Sequence, residues 1–178
     1  IAGGSDGSLS QWFLVRDEHN NFHLKHIRDF EQHPAAIVQI EPEYSRKGFM
    51  AIDNQGHLGI HYGTSARTLW LEPLGDGIAP QRIAISPINQ SFLALATDGQ
   101  TYHFALDNAH PDVSWKAMWN EVWYEGRGEK DYIWQASSGS DEFEAKMSLV
   151  PLALGTLKAA LFAMLFATPL AIMSALYT

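Results

Sequence analysis

The residues best suited to chemistry are eight histidines and a short acidic run. His23 and His26 stand three apart in FHLKHI, a stretch that alternates like a strand, so they face opposite sides. His57 and His61 stand four apart in a second strand-like stretch and share a face. Strand rise nevertheless separates those two by about 13 Å. Neither spacing builds a metal site by itself, and scattered strand histidines read first as surface or internally satisfied groups. Asp141, Glu142 and Glu144 can bind a cation or simply solvate a linker, and the linker reading is the plainer one. No phosphate-cradling G-x-x-x-x-G-K-[ST] loop occurs, nor a G-x-S-x-G or H-E-x-x-H pattern. The chain has no cysteine, which removes disulfides and thiolate metal sites. The expectation is a chain that is not an enzyme, with no catalytic, cofactor-binding or metal-ligating residue of its own.

Charge narrows the partners. Of 12 basic and 20 acidic residues, every acidic one precedes Ala145 and all basic ones except Lys158 precede Pro151. Residues 1–150 are therefore strongly acidic. A surface of that sign disfavours nucleic acid, whose phosphates demand clustered Lys and Arg, and it disfavours docking on anionic lipid.

The elements that must position any site come in three kinds. Residues 1–108 read as mainly β. Three hairpins recur, turning at Asp6-Gly7, at Asp53 to Gly56 and at Asp98-Gly99. Glycine supplies the positive φ such turns need, and Asp tolerates it. The turn glycines Gly7, Gly56 and Gly99 are spaced 49 and 43 residues apart. Further strand candidates lie at 22–27, 36–40, 68–71 and 82–85. About four short strands per period of that length is the pattern of a β-propeller blade, and the stretch from Ile83 to Leu106 is similar to WD40-like blades. A β-sandwich is the alternative. Two to three blades fit, and a closed propeller takes four to eight, so the expectation is an internal piece of a longer protein with further blades upstream of Ile1.

Residues 109–150 form a tryptophan-rich connector. Ser114 is placed to cap a helix from Trp115 to Val122 with Trp115, Met118, Trp119 and Val122 on one face. The aromatic residues of this segment suit either a membrane interface or packing beneath the last sheet.

Residues 151–178 read PLALGTLKAALFAMLFATPLAIMSALYT, and only Lys158 is charged. The 20 uncharged residues from 159 onward make a helix of about 30 Å, the thickness of a hydrocarbon core. Apolar residues occupy all sides, which favours a transmembrane helix over a buried core helix.

The stretch DEFEAKMSLVPLALGTLKAALFAMLFATPLAIMSALYT resembles the start of the membrane core of ABC-importer permeases. It is most similar to the phosphate ABC transporter permease family of PstC type, in its long form with a soluble insertion before the core. The residues that carry the likeness are Leu149-Val150-Pro151, Gly155-Thr156-Leu157, Ala167, Pro169 and Ala175-Leu176-Tyr177-Thr178. The resemblance covers about residues 130–178.

It implies a subunit of the bacterial inner membrane, with residues 1–150 periplasmic. Its partners would be a second permease subunit, cytoplasmic ATPase subunits that bind the ATP, a periplasmic phosphate-binding protein and the lipid bilayer. No substrate-binding residue carries over. Within the span, Pro169 is expected to kink the helix, Gly155 and Thr156 to permit close helix contact, and Lys158 to snorkel outward or face a polar path. The alternative is a membrane-anchored propeller that binds or senses without transporting.

Overall fold

A computed structural model describes residues 1–75, 77–135, 137 and 144–177 of the chain. Among the described residues up to 105 there are ten strands: β1 (Ala2–Gly3), β2 (Leu9–Arg16), β3 (Phe22–Asp29), β4 (Ile37–Pro42), β5 (Gly48–Asp53), β6 (His57–Tyr62), β7 (Arg67–Pro73), β8 (Pro80–Ile85), β9 (Ser91–Ala96) and β10 (Thr101–Ala105). They form three antiparallel sheets in chain order, β1-β2-β3, β4-β5-β6-β7 and β8-β9-β10. All three expected hairpins are present, with Gly7, Gly56 and Gly99 at positive φ in their turns. The expected four strands per repeat hold for the middle sheet, whereas each outer sheet has three.

The middle sheet is covered on both faces, which is why β5 and most of β6 are buried at consecutive positions rather than alternate ones. Alternation along the strands sorts the contacts. Met50, Ile52, Leu58 and Ile60 pack against Ile83, Phe92 and Ala94 of the third sheet. Phe49 and Ala51, on the opposite face, pack with Leu9 of the first sheet and Phe30 just after it. Each fully buried Leu, Ile, Met or Phe here contributes about 1.5–3 kcal/mol. The outer sheets keep an apolar face open: Trp12, Leu14, Phe22 and Leu24 on the first, and Leu93 and Leu95 on the third, are exposed.

After β10 the chain runs back across the sheets. The Leu106 amide donates to the Gln90 carbonyl, and Arg46 donates to the Asn108 carbonyl at 2.7 Å. Ser65 then donates to the Pro111 carbonyl and Arg67 to that of Val113. The short helix α1 (Trp115–Trp119) follows, capped by the Ser114 side chain, which accepts from the Ala117 amide. It stops three residues earlier than expected. Asn120 is extended, and Val122 pairs with Asp131 in a bridge instead of continuing the helical face. The buried face of α1 is Ala117, not the tryptophans. Two short strands, β11 (Trp134–Gln135) and β12 (Lys146–Met147), complete this collar around a small core of Ala117, Val122, Tyr124 and Ile133.

The chain ends in α2 (Val150–Tyr177). It begins at Val150, one residue before the expected start, with Pro151 in the first turn, where the missing N–H costs nothing. None of its residues is buried.

Candidate functional site

The helix α2 is long and apolar enough to cross a membrane. Its root is fixed by backbone bonds. The Leu149 amide donates to the Met118 carbonyl of α1 at 2.9 Å, and the Ser148 amide donates to the Ile133 carbonyl at 3.0 Å. The helical ladder starts at once, the Ala153 amide donating to the Leu149 carbonyl.

Of the four residues singled out in the span, Gly155, Thr156 and Lys158 lie within one turn near its start and Pro169 lies about three turns further on. Gly155 has nothing near the position a Cβ would take. Thr156 donates its hydroxyl back to the Leu152 carbonyl at 2.8 Å, so its polar group is satisfied within the helix. The ammonium of Lys158 lies 6.0 Å from the Phe162 ring centre, one turn on. Pro169 sits inside one continuous helix, where it removes the donor that the Leu165 carbonyl would otherwise receive.

The collar is pinned to the sheets by charged and polar groups. Arg28 of β3 donates to the Gly63 carbonyl at 2.6 Å, to the Thr64 carbonyl at 2.5 Å and to the Trp123 carbonyl. Burial lowers this guanidinium's pKa from its ordinary value, and the charge of Glu144 opposes the shift. Glu144 accepts from the Thr64 hydroxyl at 2.5 Å and from the Glu125 amide at 3.0 Å. Lys47 reaches Glu125 at 2.7 Å, and the Lys25 ammonium lies 4.4 Å from the Trp123 ring centre. One member of the expected acidic run is thus a structural tie, while Asp141 and Glu142 lie outside the described residues.

A second cluster lies between the first and middle sheets. His33, on the β3–β4 connection, and His61 of β6 are buried with their Nε2 atoms 3.4 Å apart. His61 Nδ1 meets the Thr68 hydroxyl at 3.1 Å, and its ring stacks on Phe49. Buried Asp53 accepts from the amides of Gln55 and His57 at 2.9 Å each, and its Oδ2 meets His57 Nδ1 at 2.9 Å. Asp53 Oδ2 is 3.7 Å from His33 Nδ1, too long for a hydrogen bond, so the carboxylate acts on His33 through its charge.

Burial pushes His61 down to about 3, and the neighbouring His33 adds to the shift. Burial also lowers His33, opposed by Asp53. For Asp53 burial alone would raise the pKa, but the amides of His57 and Gln55 together with the His57 ring outweigh it and the carboxyl is lowered. The group joins the β3–β4 connection to the middle sheet.

Sequence spacing joined His57 to His61, but the structure joins each of them to other residues. His33 had no signal at all, because its partner stands 28 positions later. His23 and His26 remain exposed, and His26 contacts Asp29. Among the described residues, no group of three or more His, Asp or Glu is placed to hold a metal ion.

A cleft of about 350 Å³ runs beside the β4–β5 turn. Its charged wall is already paired, Glu43 with Arg46 at 2.8 Å.

No protein-family model matches the chain, and no curated protein matches it.

Proposed function

We propose that this chain is part of a permease subunit of an ATP-driven importer, taking inorganic phosphate across the bacterial inner membrane. Residues 1–150 would lie on the periplasmic side. The observation that carries the reading is α2 itself. It leaves every face uncovered, yet it holds Gly155 and, inside the span, Pro169, from which a helix surrounded only by lipid gains nothing. Such residues suit a helix that packs on further spans. The residue-level likeness of the span to phosphate permeases supplies the substrate. ATP would be bound by a separate subunit and would drive alternating access.

The three stacked sheets are read as propeller blades. The four-stranded meander in the middle and the apolar outer faces at Trp12 and Leu24 and at Leu93 and Leu95 support this. Those faces are where adjacent blades would pack. The propeller would meet the phosphate-binding protein at the periplasmic mouth. Deleting residues 1–108 from the full protein should weaken docking of that protein, and unchanged docking sinks this role.

The test of the transport reading is radiolabelled phosphate uptake by the full protein with its partner subunits, in cells lacking their own high-affinity import. ATP-dependent uptake supports the reading. Its absence, with the subunits inserted and assembled, removes phosphate import.

A second reading, a β module merely anchored by α2, draws on the same observation, an apolar helix with no buried residue. In that case α2 should purify without a second permease or an ATPase subunit.

A further inference from the structure

We infer that the collar lies in the headgroup layer of the same bilayer that holds α2, with the rings of Trp115, Trp119, Tyr132 and Trp134 as its anchors. This rests on the reading of α2 as a membrane span. The partner is a lipid surface recognised through aromatic rings rather than through charge.

Position is the first argument. The Leu149 amide, one residue before α2, is bonded to the carbonyl of Met118, the neighbour of Trp119. The Ser148 amide is bonded to the carbonyl of Ile133, which stands between Tyr132 and Trp134. Two separate backbone ties therefore hold these aromatic residues at the level of the first turn of α2.

Exposure is the second. Trp115 is 78% exposed and Trp119 46%, and Tyr132 and Trp134 are exposed as well. The collar's own core is filled without them, by Ala117, Val122, Tyr124 and Ile133. Among the described residues of the collar, nothing covers these four rings. At a headgroup layer, the apolar body of an indole or phenol leaves water while its polar edge stays hydrated.

Depth is the third. Lys158 is the one charged residue from Pro151 to Tyr177, and its stem can carry the ammonium about 6 Å, roughly four residues of helix, toward the headgroups. The hydrocarbon boundary then falls near Leu154. Helical Cα–Cβ bonds tilt toward the N-terminus, which favours that direction for the Lys158 stem in a bilayer. From Leu149 to Leu154 the helix climbs about 7 Å, roughly the depth of one headgroup layer. Helix tilt shortens that distance slightly along the bilayer normal. The collar backbone comes to rest at the outer edge of the headgroups, with rings that reach inward.

Charge is the fourth. The soluble part is strongly acidic, so attraction to anionic lipid cannot hold the collar down. Anchoring should be indifferent to anionic lipid content and to salt. Because Arg28, Lys25 and Lys47 tie the collar to the sheets, the same contact fixes how the sheets stand on the membrane.

The test uses the full chain in phosphatidylcholine nanodiscs with every tryptophan replaced by 5-fluorotryptophan, and resonances assigned by single Trp→Phe variants. A spin label near the lipid carbonyls should erase the fluorine signals of Trp115, Trp119 and Trp134. A water-soluble gadolinium chelate should spare them while erasing Trp12. A Phe166→Trp variant reports on the span and should lose its signal to a spin label deep in the acyl chains. If Phe166→Trp behaves so while Trp115 and Trp119 are erased by the chelate, the collar stands clear of the lipid and the inference is overturned with the span intact. If Phe166→Trp is erased by the chelate, the span reading fails and takes the inference with it.

Discussion

Acid should loosen the interface between the first and middle sheets, and the buried histidines set the size of the effect. His61 falls from an ordinary 6.5 to about 3 in the folded protein, chiefly by burial. Its folded pKa lies below its unfolded one, so the folded state binds fewer protons at every pH between the two. Stability from the neutral ring is therefore complete above about pH 6.5 and is lost as pH falls, by about 1.4 kcal/mol per pH unit. The whole shift corresponds to on the order of 5 kcal/mol, of which roughly 2 kcal/mol is gone by pH 5. His33 is lowered too, so its contribution is lost in the same direction. Asp53 is lowered as a carboxylate, so its stabilisation is lost only as pH falls below the ordinary 3.8.

Urea midpoints of the full chain in zwitterionic detergent, read by near-ultraviolet circular dichroism from pH 8 to pH 4.5, give the slope. His61→Gln removes the titrating ring. It should be less stable at pH 7.5 by about 1–3 kcal/mol, through the loss of the Thr68 contact and the stacking on Phe49. It should also flatten the acid slope. Stability unchanged between pH 7.5 and 5, or a slope untouched by His61→Gln, would refute the reasoning.

Three further perturbations probe how the parts are joined. Arg28→Lys loses the fork that reaches three carbonyls at once, and should speed tryptic cutting at Arg127 and Lys130 while costing about 2–3 kcal/mol in the urea midpoint. Gly59→Ala drives a Cβ against both buried Nε2 atoms, and should lower stability by about 1–3 kcal/mol with a changed near-ultraviolet spectrum. Ser114→Ala removes the cap of α1 and should cost about 1 kcal/mol, read as faster hydrogen exchange at the Ala117 amide.

Local chemistry made the hairpins legible. An Asp and a positive-φ Gly between apolar runs specify a turn from within a few residues, and Gly7, Gly56 and Gly99 all sit in such turns. The apolar run of α2 was legible for the same reason, as one unbroken signal. The length of α1 was not, because Val122 answers to Asp131, nine residues on, rather than to its helical neighbours. The histidine cluster was hidden more deeply. His33 and His61 meet only because two sheets stack, and no spacing within either segment announces that. The same holds for Glu144, whose partner Thr64 lies 80 residues away. The outward face of the tryptophans on α1 was half legible: their shared face was expected, but the helix turns that face to the outside and buries Ala117.

The account rests first on α2 crossing a membrane with the collar and sheets on one side. These 178 residues contain no cysteine, so with any cysteine elsewhere in the full protein replaced this is directly measurable. Glu18→Cys, on the exposed β2–β3 turn, and Tyr177→Cys, at the far end of α2, are each introduced into the full protein and exposed to a membrane-impermeant maleimide in intact spheroplasts and in inverted vesicles. The account predicts labelling of Glu18→Cys in spheroplasts only and of Tyr177→Cys in inverted vesicles only. Labelling of both positions from the same side would contradict it.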